Sequence, residues 1–363
     1  MAAQALHLSW FNPVQIEFGS SCRKTLIVDQ AVVVLADANA LSAVDQSQLR
    51  STFGERCKTW EWVSNETATT THAVRICQSL WPVMRGYPTA IVIAIGGGTT
   101  IDLAMVVRYR FLDLQSSQWP MQWQSNEVPD LTQRHPLWAL PTTAGTGSEV
   151  TRGATLWHTH TLPAIKLSWS PTNGFVERAW VDPELTFTCP QRVTRDCALD
   201  ALAHALEAIW NHRANPMTMA LSIPAARAVI EHLPTVLHTP QNSASRTALS
   251  LASLQAGLAM SQTQTALAHA LSYQVTLEEA IPHGEACAMW LPMAWDIAAK
   301  ASETCSTHLF QVFKKPAGAE CLQLWLNELG VNTRELRDQP SGRATLAREM
   351  QSTRGRNFIA AQP

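Results

Sequence analysis

The sequence predicts an α/β domain over residues 1–186 followed by an all-helical domain over residues 187–363. Its 363 residues are enough for about two domains. Up to about Thr186, short continuous apolar runs alternate with turns and helical patterns, whereas from Gln191 onward apolar residues recur mainly at helical spacing. Continuous β-branched runs are typical of parallel strands that helices cover on both faces, so this order of patterns predicts the two domains.

The individual elements follow from the same patterns. In the first half, three apolar runs of strand length occupy residues 31–36, 90–95 and 138–140, and turn residues follow them. Helical patterns occupy 68–86 and 100–110, and a polar stretch over 113–134 is predicted to be irregular. In the second half, the segments with apolar residues at helical spacing are 192–211, 217–237, 244–262, 285–303 and 319–329.

The composition excludes several classes of protein. Hydrophobic residues make up 46% of the chain and charged residues 15%, which excludes a disordered chain. A formal net charge of −2 gives no basic field for nucleic acid, and no apolar run is long enough to predict a membrane span. The N-terminal residues lack the pattern of a secretory signal and the eight scattered cysteines predict free thiols, so we expect a cytoplasmic protein.

Three consecutive glycines follow the second predicted strand. Gly96, Gly97 and Gly98 come directly after the run AIVIAI, and Asp102 lies in the helical pattern that follows. Glycine lets a backbone approach a ligand closely, and the start of a helix offers free N–H groups to an anion. The arrangement therefore predicts a pyrophosphate site, although the spacing is not GxGxxG and glycine after a strand is often only a tight turn.

A second loop, PTTAGTGSE, follows the third predicted strand. Its hydroxyl groups and glycines can present several donors to phosphate or ribose while the chain bends, and a serine cap before a helix is the structural alternative. Asp37 ends the first strand, where an acidic residue can bond the hydroxyl groups of an adenosine ribose. Two such loops in one α/β domain predict nucleotide binding.

The helical half contains a candidate metal site. Asp200 and His204 are four residues apart in one helical pattern, so both project from the same face. His269 lies in the apolar segment TALAHAL, and His283 follows Pro282 at a turn. One carboxylate and three imidazoles suit a divalent first-row metal such as Fe²⁺ or Zn²⁺. The alternative is that these histidines are core residues with satisfied hydrogen bonds.

The motifs GGGTTID, PTTAGTGSE, DALAHALE, HALSY and PHG resemble, in order and interval, those of the iron-containing (group III) alcohol dehydrogenases over nearly the whole chain. The resemblance implies that family's fold, which is related to that of dehydroquinate synthase, and an NAD(P)-dependent dehydrogenase. It implies a divalent metal, Fe²⁺ or alternatively Zn²⁺, and NAD(H) or NADP(H), with Asp37 favouring NAD. The implied metal ligands are Asp200, His204, His269 and His283. The implied cofactor contacts are Asp37, Gly96, Gly97, Gly98, Asp102, Thr142, Thr143, Gly147, Ser148 and Lys166.

One position departs from the family pattern. Many members carry a further histidine four residues after the third metal ligand, and this chain has Tyr273 there. In the family that histidine lies near the nicotinamide and is credited with proton relay. Tyr273 is therefore a candidate catalytic residue that could supply a hydroxyl donor, with relay through water as the alternative.

Further motifs resemble the phosphonate-metabolism branch of the family. They include EAIWN from Glu207 and the C-terminal SxRGRNF. Members of that branch reduce phosphonoacetaldehyde to 2-hydroxyethylphosphonate. The candidate anion-binding residues are Arg213, Arg354 and Arg356, since guanidinium groups bind phosphonate oxygens bidentately. The alternative is that these arginines are solvated surface residues.

Three other functions are also compatible with the sequence. The chain could be a general short-chain alcohol dehydrogenase, a sugar-phosphate cyclase-like lyase with a related fold, or a binding protein without catalysis. In each case we expect a small-molecule ligand, no nucleic acid, no membrane and a possible homodimer. The motifs HALSY and PHG favour the dehydrogenases over the cyclases.

Overall fold

The computed structural model describes residues 8–63, 68–109, 134–161 and 164–361. Six strands form one parallel sheet, in the spatial order β1-β8-β5-β4-β2-β3. Strands β6 and β7 form a separate antiparallel pair. The strands are β1 Gln15–Phe18, β2 Val32–Asp37, β3 Cys57–Val63, β4 Ile91–Gly96, β5 Leu137–Pro141, β6 Ala154–His158, β7 Ile165–Trp169 and β8 Arg178–Val181.

Helices cover the sheet and then form a layer of their own. In the first half, α1 (Ala43–Phe53) lies against one face of the sheet, and α2 (Thr70–Arg85) and α3 (Gly98–Val107) lie against the other. A 3₁₀ turn, Pro183–Thr186, leads to the helical half. Its helices are α4 Gln191–Ile209, α5 Pro216–His238, α6 Ser243–Thr263, α7 Leu267–Glu279, α8 His283–Ala288, α9 Leu291–Ala301, α10 Glu303–Phe313, α11 Gly318–Glu328 and α12 Pro340–Met350.

The buried side chains explain why these segments fold as they do. Along β2, Val33 and Leu35 pack on one side of the sheet, while Val32, Val34 and Ala36 pack on the other. A strand buried on both faces has no polar positions, which is why its sequence reads as a continuous apolar run. A third cluster of buried residues holds the helical half together. The predicted fold class, an α/β half followed by a helical half, is confirmed.

Two predictions about elements were wrong or incomplete. The single helix predicted over 285–303 is two helices, α8 and α9, because Pro292 in the first turn of α9 lacks the N–H and space that a continuous helix needs. Strands β1, β3 and β8, the hairpin β6–β7 and helices α1, α10 and α12 were not predicted. The stretch 113–134, apart from Arg134, lies outside the described residues.

Other features agree with the composition. All eight cysteines are free. Among the described residues, none of the helices combines the length and the apolar character needed to cross a bilayer.

Candidate active site

Three of the sequence motifs meet at one edge of the parallel sheet. Asp37 ends β2, Gly96 ends β4 and Thr142 follows β5, and these three strands are adjacent in the sheet. Gly96 pairs in register with Pro141, and the backbone N–H of Thr142 donates to the Gly96 carbonyl at 3.1 Å. The carboxyl ends of parallel strands are the usual ligand-binding edge of an open α/β sheet. The motifs therefore lie where a nucleotide would bind in such a sheet.

The glycine loop is held tightly against neighbouring hydroxyl side chains. A Cβ atom on Gly96 would lie 2.3 Å from Oγ1 of Thr100, and one on Gly98 would lie 2.6 Å from Cγ2 of Thr146. Gly97 has slightly more room, with its hypothetical Cβ 3.1 Å from Oγ1 of Thr143. Glycine at 98 is thus required by the packing of the two loops on each other, and glycine at 96 by the first turn of α3, which carries Thr100. The first turn of α3, directly after Gly97, offers its free N–H groups at the same place.

The second loop bends at a glycine and is braced by its own hydroxyl groups. Gly147 has a φ of 63°, and a Cβ atom there would lie 2.6 Å from Cα of Gly257. The Ser148 hydroxyl donates to Oγ1 of Thr146 at 3.0 Å. Both observations give Gly147 and Ser148 a role in the structure of the loop itself. Neither prevents the hydroxyl groups of the loop from contacting a ligand.

The two acidic residues predicted to contact a cofactor also have structural partners. Oδ1 of Asp37 accepts a hydrogen bond from the backbone N–H of Asn39 at 2.9 Å, so Asp37 caps a turn. Oδ2 of Asp102 accepts from the N–H of Thr155 at 2.9 Å. Burial raises the pKa of the Asp102 carboxyl to about 7. A carboxyl group that titrates near neutrality at this edge of the sheet is typical of a functional site.

The four predicted metal ligands come together in the helical half. Asp200 and His204 are one turn apart on α4, His269 lies on α7, and His283 begins α8. The distances from Oδ1 of Asp200 to the Nε2 atoms of these histidines, in chain order, are 3.7, 3.4 and 3.9 Å. Side chains from three helices therefore surround one carboxylate oxygen.

The charges of this cluster suit a bound cation. Burial opposes the ionisation of Asp200, yet its contact with His269 holds the pKa of the Asp200 carboxyl far below its usual range. Burial lowers the pKa of His204 to about 4, and burial with nearby Lys166 holds the pKa of His283 well below its usual value. These two imidazoles are thus neutral, the form that ligates metals.

The atoms of the cluster also fit a divalent metal. Oδ1 of Asp200 and Nε2 of His269 are buried and have no hydrogen-bond partner among the described residues. The two atoms lie 3.4 Å apart as an ion pair without a hydrogen bond between them, and a cation bound by both would satisfy each of them better. Carboxylate oxygen and imidazole nitrogen are donors that Fe²⁺ and Zn²⁺ accept.

Two residues of the site were not singled out as site residues by the sequence analysis. Glu207 is fully buried behind His269, whose Nδ1 lies 2.8 Å from Oε2 of the carboxylate, and the N–H of Ala266 donates to the same oxygen at 2.6 Å. Cys287 lies one turn after His283, with Sγ 3.9 Å from both ring nitrogens of that histidine. Their positions seven residues after Asp200 and four after His283 are the helical spacings that could have identified them.

Tyr273 lies between the metal cluster and two cations. Its ring is nearly parallel to that of His283, with the centroids 6.2 Å apart. Nζ of Lys166 lies 4.3 Å from the centroid of the Tyr273 ring, and the guanidinium carbon of Arg354 lies 5.4 Å from it. The Tyr273 hydroxyl is buried without a hydrogen-bond partner among the described residues. Lys166, expected beside a cofactor, is thus also a neighbour of the metal cluster.

The three candidate arginines occupy different surroundings. The Arg354 guanidinium donates to Oγ of Ser168 at 2.9 Å and to the hydroxyl of Thr265. These two hydrogen bonds connect β7 to the start of α7. Arg213 and Arg356 are exposed, and Nε of Arg356 donates to the Gln351 carbonyl at 2.8 Å. Within the described part of the chain, no hydrogen bond or ion pair joins either of them to the metal cluster.

Comparison with family models gives two matches. Residues 13–183 match the model described as iron-containing alcohol dehydrogenase. Residues 194–334 match the model of the C-terminal part of the Fe-containing alcohol dehydrogenase family. The two matches follow one another along the chain and together cover most of it.

Curated relatives match over part of their length. The probable alcohol dehydrogenase EutG of Escherichia coli is 34% identical over 233 residues, which are 60% of this chain and 58% of that protein. The sulfoacetaldehyde reductase of Bilophila wadsworthia is 30% identical over 212 residues, 58% of this chain and 53% of that protein. The chain thus spans between half and three-fifths of the length of these relatives.

Solved structures match over nearly the whole chain. Sulfoacetaldehyde reductase from Bifidobacterium kashiwanohense, in complex with NAD⁺, superposes with a TM-score of 0.79 at 23% identity, covering 98% of this chain and 95% of that one. An iron-containing alcohol dehydrogenase from Thermotoga maritima gives 0.78 at 23% identity, covering 98% and 96%. At this identity the likeness establishes the fold.

Proposed function

Because this chain belongs to the iron-containing alcohol dehydrogenase family, we propose that it is a metal-dependent, NAD(P)-linked dehydrogenase of small aldehydes and alcohols. The observation that carries the proposal is the cluster of Asp200, His204, His269 and His283, in which a buried carboxylate oxygen lies 3.4–3.9 Å from three imidazole nitrogens. A sugar-phosphate cyclase-like lyase and a binding protein without catalysis are the alternatives that the test below separates.

The residues of this chain have separate tasks in the proposed reaction. The four cluster residues would hold the divalent metal, which when bound supplies Lewis acidity toward a carbonyl oxygen. The glycine loop after β4 and the hydroxyl loop after β5 would hold the cofactor, whose reduced nicotinamide is a hydride donor. Glu207 fixes the tautomer and the orientation of His269 through the 2.8 Å contact to Nδ1.

Tyr273 is the nearest candidate for moving a proton at the substrate oxygen. Its ring lies against His283, and Lys166 lies 4.3 Å from the ring centroid. Water reaching the half-buried His283, whose side chain is 32% exposed, offers a second route for the proton.

The substrate that we propose is an aldehyde that also carries an anion, with phosphonoacetaldehyde as the specific candidate and 2-hydroxyethylphosphonate as its reduced product. Lys166 and Arg354 converge on Tyr273 beside the metal cluster, and within the described residues neither forms an ion pair with a carboxylate. Two cations without acidic partners near a carbonyl-binding site would offset the desolvation of a dianion. The names of two relatives, both sulfoacetaldehyde reductases, are consistent with a small anionic aldehyde.

Among the three candidate arginines, Arg354 is the one that the proposal assigns to the anion. It is half-buried and held by Ser168 and Thr265, so its guanidinium is already oriented. Arg213 and Arg356 are exposed, and a solvated arginine contributes less to a buried contact. They remain candidates for attracting an anionic substrate over a longer range.

The experiment is a panel of NAD(P)H-oxidation assays with phosphonoacetaldehyde, sulfoacetaldehyde, acetaldehyde and propionaldehyde, using protein loaded with Fe²⁺ or Zn²⁺. We expect phosphonoacetaldehyde to give the highest kcat/KM. Arg354→Ala should lower that value by roughly 30-fold or more, as for a truncated buried charge contact, and change the acetaldehyde value little. Arg227→Ala, at an exposed helical arginine, is the matched control.

Three results would refute different parts of the proposal. A wild-type preference for acetaldehyde, or an unchanged ratio of the two specificity constants in Arg354→Ala, would refute the anionic substrate and favour a general alcohol dehydrogenase. If the protein oxidised neither NADH nor NADPH with any aldehyde of the panel, the proposed dehydrogenase activity would be refuted.

A further inference from the structure

One group of possible metal-binding atoms in the described residues differs from the predicted set of four. It comprises one donor atom each from Asp200, His269, His283 and Cys287, all within 4.8 Å of one another. Cys287 is fully buried, and its position one turn after His283 puts both side chains on the same face of α8. The cysteine is therefore part of the cluster by geometry.

The distances fit a common metal ion. Metal–nitrogen and metal–oxygen bonds of about 2.0–2.2 Å and metal–sulfur bonds of about 2.3 Å separate neighbouring donors by about 3.3–3.8 Å. Sγ of Cys287 lies 3.9 Å from each ring nitrogen of His283, and the Asp200–His269 separation is 3.4 Å. Small side-chain movements would bring all these donors to bonding distance of one ion.

The surroundings of the sulfur point to a ligand as well. Oδ1 of Asp200 and Nε2 of His269, two members of the same group, are buried without hydrogen-bond partners among the described residues. The ligand atoms of both residues lie within 4.8 Å of the Cys287 sulfur. A cysteine that only filled volume would not need to lie among unsatisfied donor atoms.

We propose that Cys287 is a ligand of the divalent metal at this site, in addition to Asp200 and the three histidines. The inference rests on the proposed metal centre and goes beyond the ligand set that the family resemblance implies. When the ion binds, the S–H bond of Cys287 breaks, the proton passes to solvent, and a metal–sulfur bond forms with no change in oxidation state. One soft thiolate among oxygen and nitrogen donors favours Zn²⁺ or Co²⁺ over harder ions such as Mg²⁺ and Mn²⁺.

The test is the electronic spectrum of the full-length protein loaded with Co²⁺ after removal of other metals. A thiolate ligand gives a sulfur-to-cobalt charge-transfer band in the near ultraviolet, and we expect that band in the wild type. Cys287→Ser should lose it while still binding one Co²⁺. Cys77→Ser, at a fully buried cysteine in the α/β half, is the matched control and should keep the band.

A second measurement uses the wild type alone and does not depend on the folding of Cys287→Ser. X-ray absorption at the zinc edge of the Zn²⁺-loaded wild type should show one sulfur scatterer at about 2.3 Å. A shell of only nitrogen and oxygen atoms, or a charge-transfer band that persists in Cys287→Ser, would overturn the role of Cys287 and leave the metal centre intact. Failure of the wild type to bind any divalent ion would overturn the metal centre as well.

Discussion

At the scale of single residues, the site depends on His269, which lies between two buried carboxylates. Its Nε2 is 3.4 Å from Asp200, and its Nδ1 is 2.8 Å from Glu207. Burial opposes a charge on the imidazole, yet the carboxylates of Glu207 and Asp200 raise the pKa of His269 well above its usual value. A proton on His269 therefore balances part of the negative charge in the metal-free protein, and a metal ion would take over that role.

The first prediction concerns His269→Ala. The variant should lose bound metal and almost all turnover while remaining folded, because the cluster loses a central ligand. Leaving Glu207 without its imidazole partner should cost about 3–5 kcal/mol in the free energy of unfolding. Metal analysis with circular dichroism and chemical denaturation measures these effects, and His238→Ala, at an exposed histidine, serves as control. Full metal occupancy with normal activity would remove His269 from the ligand set.

The second prediction concerns the proton. Loss of an essential general acid typically costs about 10²–10⁴-fold in rate. We expect Tyr273→Phe to lower kcat by less than about tenfold, because the bound metal supplies the main charge stabilisation and water can reach His283. Steady-state kinetics over a range of pH measures the effect. A loss above a thousand-fold would establish Tyr273 as the proton donor instead.

At the scale of elements, the candidate cofactor site lies where loops follow buried strands. The sequence contained this information because buried parallel strands have continuous apolar runs, and glycines or hydroxyl residues follow each run directly. The hairpin β6–β7 escaped prediction because its strands are only partly buried and lack such a run. Glu207 and Cys287 share a helix face with Asp200 and His283, which the spacing could have shown. The contact of Glu207 with His269 joins two different helices and leaves no trace in the spacing along either one.

The third prediction tests the glycine loop. Gly97→Val should weaken NAD(P)H binding by about tenfold or more, equivalent to about 1.4 kcal/mol, because the side chain would occupy the approach to the first turn of α3 and press on Thr143. Titration of cofactor fluorescence measures the dissociation constant. Gly86→Val, in an exposed turn after α2, is the control. Unchanged cofactor affinity in Gly97→Val would refute the phosphate-binding role of the loop.

The fourth prediction concerns pH and Glu149, which lies in the 3₁₀ turn that ends the hydroxyl loop. Burial raises the pKa of this carboxyl to about 7, and no ion pair joins it within the described residues. The folded state therefore keeps a proton that the unfolded state releases above about pH 4.5. The free energy of unfolding should fall as pH rises from about 4.5 to 7, by about 3 kcal/mol.

Comparison of the wild type with Glu149→Gln isolates this effect. The glutamine variant cannot lose a proton at this position, so it should gain stability relative to the wild type across the same pH interval. Chemical denaturation at several pH values measures the difference. A difference that does not change with pH would show that Glu149 is not protonated in the folded protein.

At the scale of the whole molecule, the candidate active site joins the two halves of the chain. Lys166 on the β6–β7 pair reaches Tyr273 on α7, and Arg354 near the C-terminus bonds both Ser168 and Thr265. The sequence predicted the loops and the metal ligands separately, from motifs within each half. It could not predict which arginine reaches the cluster, since that depends on how the last residues fold back over the helices.

The most direct test of the central claim is to measure NAD(P)H oxidation as metal is returned to chelator-treated protein. We predict that the metal-free protein is inactive with every aldehyde of the panel. Activity should then rise linearly with added Fe²⁺ or Zn²⁺ and reach a plateau at one ion per chain. Full activity in the metal-free protein, or a plateau unrelated to the amount of bound ion, would contradict a metal-dependent dehydrogenase.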